Sequence, residues 1–212
     1  DEWCSTLLAQ ASATTAVPLE QAMREHEAWW WSFWQRSWIR VSGGEGEETR
    51  EISSGWHLHR YMIACQGRGA YPVKFNGGIF TVDGSHGLEK DAEGNVRSYD
   101  ADFRLWGGCY WFQNTRLLYW PMLAAGDTNM MRPLFEMYRK MLPFALGRTK
   151  IWFGHEGAFF HETLHPWGSC TKGEYGAAAN GRPKEELGLL ANGYIRYYWD
   201  SGLELSAMLL EY

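Results

Sequence analysis

The chain lacks the cysteine and histidine spacings of metal and redox proteins. Its four cysteines, Cys4, Cys65, Cys109 and Cys170, stand far apart, with no CxxC and no Cys/His pair at ligand spacing. That argues against a zinc site or a thioredoxin-like motif and leaves small buried thiols as the plainer expectation. No apolar run approaches the roughly 20 residues that a membrane-spanning helix needs. An excess of positive charge is missing too. The formal charge is −5 and the pI about 5.8, which disfavours nucleic-acid and anionic-membrane partners. The Walker-A, GxGxxG and GxSxG patterns do not occur, so neither a phosphate-cradling loop nor a serine nucleophile elbow is expected. The text opens at Asp1 with neither Met nor a signal-peptide pattern and closes in the amphipathic stretch LELSAMLLEY with no capping residue. The expectation is a fragment of a longer chain.

What is abundant is aromatic. Aromatic residues make up 16% of the chain and 13 of them are Trp, enough to fill a large core or to line a groove for flat, partly apolar ligands such as sugars. Apolar spacing predicts a long helix over Pro18–Val41, with Trp30, Phe33, Trp34 and Trp38 on one wide face. The run Trp29-Trp30-Trp31 reads as core more readily than as a sugar platform, because one helix cannot turn three successive side chains to one side. A Gly-rich loop over Ser42–Arg50 precedes a second helix, about Glu51–Cys65. The irregular span Tyr71–Asp102 is longer than a plain connector, so a functional loop is expected there. A third helix begins near Tyr110, with Pro121 kinking or ending it, and a fourth carries MMRPLFEMYRKMLPFAL, with Pro133 in its first turn. Two more follow at about Glu185–Trp199 and Leu203–Tyr212, punctuated by Ser201-Gly202. The rhythm of helix pairs with long loops at one end suggests stacked αα-hairpins.

Candidate chemistry lies in two loop-rich segments. In GHEGAFFHETLHPWG, Glu156 and Glu162 stand among Phe, Trp and His. A carboxyl group in apolar surroundings holds its proton more tightly, as a general acid must, although a helix cap and a solvated glutamate would read the same way. Gln113 and Asn114 fall in the first turn of the third helix. An amide there can orient a water or a sugar hydroxyl, or can equally satisfy loop backbone. His155, His161 and His165, at i, i+6 and i+10 in a Gly/Pro-broken loop, match no common metal pair; substrate hydrogen bonds or loop packing are expected instead.

Taken in order, four segments carry a resemblance. HEAWWWSFWQRSWIRV, HLHRYMIACQGRGAYPVKFNGGIF, DFRLWGGCYWFQNTRLLYWPM and GAFFHET resemble successive parts of the catalytic barrel of family-95 glycoside hydrolases, the inverting α-L-fucosidases, and more closely an uncharacterised bacterial group related to them. The likeness runs from about Glu20 to Tyr212. It implies an all-α fold, an (α/α)6 toroid (six-hairpin glycosidase), of which residues 1–212 would be the first half, about three helix pairs, inactive without the missing C-terminal half of its own barrel. It also implies inverting hydrolysis of a glycosidic bond in an oligosaccharide or polysaccharide, without a cofactor or metal, in a protein that is periplasmic or secreted. Glu162 matches the family's general acid, and Asn114 the second of two Asn that position the attacking water. Phe112 stands where the family has the first, so the fucose specificity is not carried over. The base is expected beyond Tyr212. Gln113, His155 and Asn76 would contact substrate, with Trp106, Trp111, Trp152 and Trp167 as the walls of a sugar pocket. Such an enzyme needs two carboxyl groups roughly 6.5–9.5 Å apart on separate elements. The rival readings are a polysaccharide lyase on the same kind of ring, with Tyr110 or His155 as base, and a non-catalytic glycan-binding scaffold.

Overall fold

Helices account for most of the described chain, and only four residues pair as strands. The computed structural model describes residues 2–43, 47–75, 92–95, 109–169 and 198–212. The elements are α1 (Glu2–Thr15), α2 (Leu19–Arg36), α3 (Glu48–Gln66), β1 (Tyr110–Trp111), α4 (Phe112–Ala125), a 3-10 turn (Thr128–Met130), α5 (Arg132–Phe153), β2 (Thr163–Leu164) and α6 (Trp199–Glu211). Asn76 and Trp106 lie outside the described residues, as does most of the helix expected over Glu185–Trp199. Among the described residues no helix is long and apolar enough to cross a membrane.

The helix α2 ends five residues before the expected Val41, for a physical reason. Its last turn offers carbonyl groups with no partner in the helix, and the guanidinium of Arg60, reaching across from α3, takes them. Arg60 donates from Nη2 to the Phe33 carbonyl at 3.2 Å and from Nη1 to that of Ser37. Ser37 is already extended, at φ −159° and ψ 137°, and the chain then runs back along α3, where the Val41 amide meets Ser53 Oγ at 2.9 Å. Trp38 therefore leaves the expected aromatic face and is 67% exposed. Of the triple Trp, Trp29 and Trp30 pack around the fully buried Phe33, while Trp31 points to solvent. Trp30 stacks on Tyr61, and Trp34 meets His57 edge-on, which closes α2 and α3 into an antiparallel hairpin.

Two further boundaries differ from expectation. The helix α4 continues through Pro121 to Ala125 and stops at Gly126, which adopts the left-handed conformation (φ 71°, ψ 22°) that a Cβ would disfavour. The missing Pro121 amide frees the carbonyl of Leu117, an exposed position where water can serve it. Likewise α6 runs through Ser201-Gly202, which fall in its first turn rather than before it. The helix α1 was not foreseen and buries none of its residues; Cys4 on it is exposed, contrary to the expected buried thiol, whereas Cys109 is buried.

The hairpin α4–α5 closes through the short turn Gly126–Met131 and supplies most of the core. Tyr119, Met122, Leu134, Phe135, Met137 and Met141 join Phe33, Ile63 and Met208 in one cluster. Each such side chain, fully buried, contributes about 1.5–3 kcal/mol of transfer free energy. The prevalence of Met suits the irregular gap between helices, since an unbranched thioether adapts to it. The segment after α3 is pinned along α4 by two phenols: Tyr119 donates to the Val73 carbonyl and Tyr110 to that of Pro72, both at 3.3 Å. The helix α6 docks through Glu204, whose Oε1 accepts from Arg116 Nη1 at 2.8 Å and from Trp120 Nε1 at 2.6 Å.

Candidate functional site

A two-residue bridge brings the two candidate segments together. Tyr110 pairs with Leu164 and Trp111 with Thr163, antiparallel. Continued by one residue, that register sets Glu162 opposite Phe112, the first residue of α4. Glu162 is half-buried and its Oε1 is shielded from solvent. Asn114, in the first turn of α4, is half-buried as well, whereas Gln113 is exposed.

The approach to Glu162 is aromatic. Phe160 meets Tyr138 edge-on at 5.1 Å, and Tyr138 meets Phe112 at 6.4 Å. His161, the neighbour in sequence, is 4% exposed and lies 5.6 Å from Trp152 and 5.2 Å from Phe159. Burial, helped by the positive charge of Arg148, pushes the His161 imidazole down to about 3, so it is neutral across the physiological range. Arg148 is buried, donates to the Gly168 carbonyl and lies over Phe144 and Trp152. It thereby ties the loop after β2 to α5. Arg148 was not expected as a site neighbour; for His161 substrate hydrogen bonds or loop packing were expected, and its ring packs against Trp152 and Phe159. The only signal for His161 was its place in the aromatic loop.

The second carboxylate of the segment is in a different setting. After α5 ends at Gly154, left-handed at φ 72°, Glu156 is exposed and pairs with Lys150 Nζ at 2.8 Å, the two side chains being 82% and 70% exposed. His155, expected to contact substrate, is exposed; its ring stacks on Phe153 and its Nδ1 sits 2.8 Å from the Glu156 carbonyl. Trp167, expected as a wall, is 71% exposed and stacks flat on His165 at 5.0 Å. Trp111 and Trp152 are half-buried. Of the described candidates, then, Trp111 lies in the bridge, Glu162 directly precedes its second strand and Asn114 falls in the first turn of the helix that follows its first, while Trp152 packs on His161 and Gln113, His155 and Trp167 face solvent.

The phenol of Tyr110 is pushed up to about 12, by burial first and the neighbouring Tyr71 second, and it donates to the Pro72 carbonyl. It is a poor base at neutral pH. A cavity of about 580 Å³ lies at the other end of α4, lined among others by Arg36, Arg68, Asp127, Arg132, Glu136 and Lys140. None of the expected site residues lines it. Compared with protein-family models, with curated proteins and with solved structures, the chain matches none.

Proposed function

We propose that the protein is a carbohydrate-active enzyme that hydrolyses glycosidic bonds, with Glu162 as general acid and Asn114 orienting the attacking water. The observation that carries the reading is the Tyr110–Trp111/Thr163–Leu164 bridge. It joins the segment that carries Glu162, whose Oε1 is shielded from solvent, to the start of the helix that carries Asn114; an inverting enzyme needs a second carboxyl group as base in addition. Glu162 follows the aromatic run Phe159-Phe160 and is half-buried, and a general acid requires surroundings that keep its carboxyl group protonated. Glu156, solvated and paired with Lys150, is not suited to that role. The two antiparallel helix hairpins, α2–α3 and α4–α5, are the units from which an (α/α)6 toroid would be stacked, and the proposal extends to that architecture with its second half supplied beyond Tyr212.

The test is Glu162→Gln in the full-length protein, assayed on neutral oligosaccharides with the anomeric form of the product followed by NMR. Turnover is expected to fall by a factor of about 10² to 10⁴, the range a positioned acid contributes, with substrate affinity nearly unchanged. Wild-type turnover in the variant would refute the assignment of Glu162. A retained anomeric configuration in the wild-type product would refute inversion.

A further inference from the structure

The cavity at the opposite end of α4 carries a charge surplus that the proposed hydrolysis does not use. The C-termini of α2, α3 and α4, the turn between α4 and α5, and the first turns of α5 converge on it. Four cationic side chains line it, Arg36, Arg68, Arg132 and Lys140, against two carboxylates, Asp127 and Glu136. Both carboxylates are engaged from outside the lining as well. Asp127 takes two hydrogen bonds from the buried Arg60, at 2.9 and 3.0 Å, and Glu136 takes two from Arg139, at 3.0 and 2.7 Å. The locality therefore sets six cations against two anions, in a chain whose formal charge is −5. Helix ends do not cancel this. Each terminus is equivalent to roughly half a charge, so the three C-termini, of α2, α3 and α4, and the one N-terminus together change the balance by about one.

The cations are also held for use. The Arg68 guanidinium lies 4.4 Å above the ring of Trp29, which is itself stacked on Phe33 at 5.4 Å. Arg36 is bound to Asp127 on one side and remains 40% exposed toward the cavity. Arg132 and Lys140, two turns apart on one face of α5, flank Glu136 and help Arg139 hold its carboxyl below the usual range. Gly67 lets the floor close: a Cβ there would come within 2.8 Å of Met130. The volume, about 580 Å³, is in the range of small-molecule sites, roughly 300–1,000 Å³.

We infer that this cavity binds the phosphate group of a small phosphorylated molecule, with Arg132 and Lys140 as the direct cationic contacts and Arg36 and Arg68 closing the opposite wall. A doubly charged, compact oxyanion matches a cluster of guanidinium forks and one ammonium better than a neutral sugar does.

The test is isothermal titration of the full chain with glucose 6-phosphate, inorganic phosphate and glucose at fixed ionic strength. Both phosphates should bind saturably and glucose should not. The exposed-site variant Arg132→Ala/Lys140→Ala should keep its circular dichroism and bind glucose 6-phosphate at least tenfold more weakly. Lys150→Ala, at the far end of α5, should bind as the wild type does. Three results would overturn the inference: no saturable binding of either phosphate, equal binding by the Arg132/Lys140 variant, or equal weakening by Lys150→Ala. Because the hydrolysis assay is read at Glu162 with neutral substrates, failure of either reading leaves the other intact.

Discussion

Removing the Asp127 carboxylate should cost more stability than removing any exposed charge, and the structure gives the size. Asp127 is 3% exposed. It accepts from Arg60 Nε at 2.9 Å and Nη2 at 3.0 Å, and from Arg36 Nε at 3.1 Å and Nη2 at 2.9 Å. In Asp127→Ala the Arg60 guanidinium, 1% exposed, stays buried with no counter-charge. It retains the Phe33 and Ser37 carbonyls and the rings of Phe33 at 4.1 Å and Trp34 at 5.4 Å, none of which carries a negative charge. Breaking a buried pair from one side costs about 3–5 kcal/mol, at least about a fifth of the stability of an ordinary domain, about 5–15 kcal/mol. Arg36 is 40% exposed, so Arg36→Ala should cost only about 0–1 kcal/mol. Urea unfolding followed by tryptophan fluorescence reads both, provided the slope with denaturant is unchanged. If Asp127→Ala lost no more than Arg36→Ala, the buried node would not hold the hairpins together and the account of how α2 ends would fail with it.

Three other perturbations separate alternatives. Glu156→Gln should leave turnover and stability nearly unchanged, because both partners of its ion pair are solvated, whereas Glu162→Gln should lower turnover by a factor of about 10² to 10⁴; equal loss of activity in both would overturn the choice of acid. The His161 imidazole, lowered in the folded state from 6.5 to about 3, binds its proton only after the unfolded chain has done so, hence stability is full above about pH 6.5 and falls as the pH drops toward 3. Its ring protons should show no titration by NMR near pH 6.5, and a midpoint there would contradict the buried placement. Glu204→Ala should cost about 1–3 kcal/mol, since it leaves the half-buried Arg116 and the indole of Trp120 without their shared acceptor, and a change below about 0.5 kcal/mol would mean that α6 is held by its apolar face alone.

Helical periodicity made α2 through α5 legible, because an apolar stripe at 3.6-residue spacing is written locally. Their ends were not, since they depend on distant residues. Arg60 and Asp127 decide where α2 stops, 67 residues apart in sequence, and no pattern around Val41 announces it. Pro121 reads as a breaker by its own chemistry, yet the carbonyl it orphans faces solvent and the helix passes through. The helix α1 went unread because it has no buried face to impose a pattern. At the candidate site, the aromatic loop and the amide pair were visible as composition. The pairing of Trp111 with Thr163 was not, because a two-residue bridge between segments about fifty residues apart carries no periodicity of its own.

The two sites share α4 and differ in the physics that each end of it allows. At its N-terminus the chain arrives through a bridge of two residues, and the side chains gathered there are aromatic or shielded, with Tyr110 and His161 both displaced toward their neutral forms by burial. At its C-terminus, about 20 Å away by the helical rise, the short turn to α5 exposes backbone and cations to solvent, and the one buried anion, Asp127, is spent on Arg60 and Arg36. That end can hold a negative charge and has no group poised to give a proton. The core between the two ends is filled by Tyr119, Met122 and Leu134 without exposure to solvent, but it is the distance, about twice the screening length of roughly 10 Å at 0.1 M salt, that weakens coupling between exposed charges at the two ends. The two proposals therefore stand on different residues of a single helix hairpin, and the variants Glu162→Gln and Arg132→Ala/Lys140→Ala test them separately.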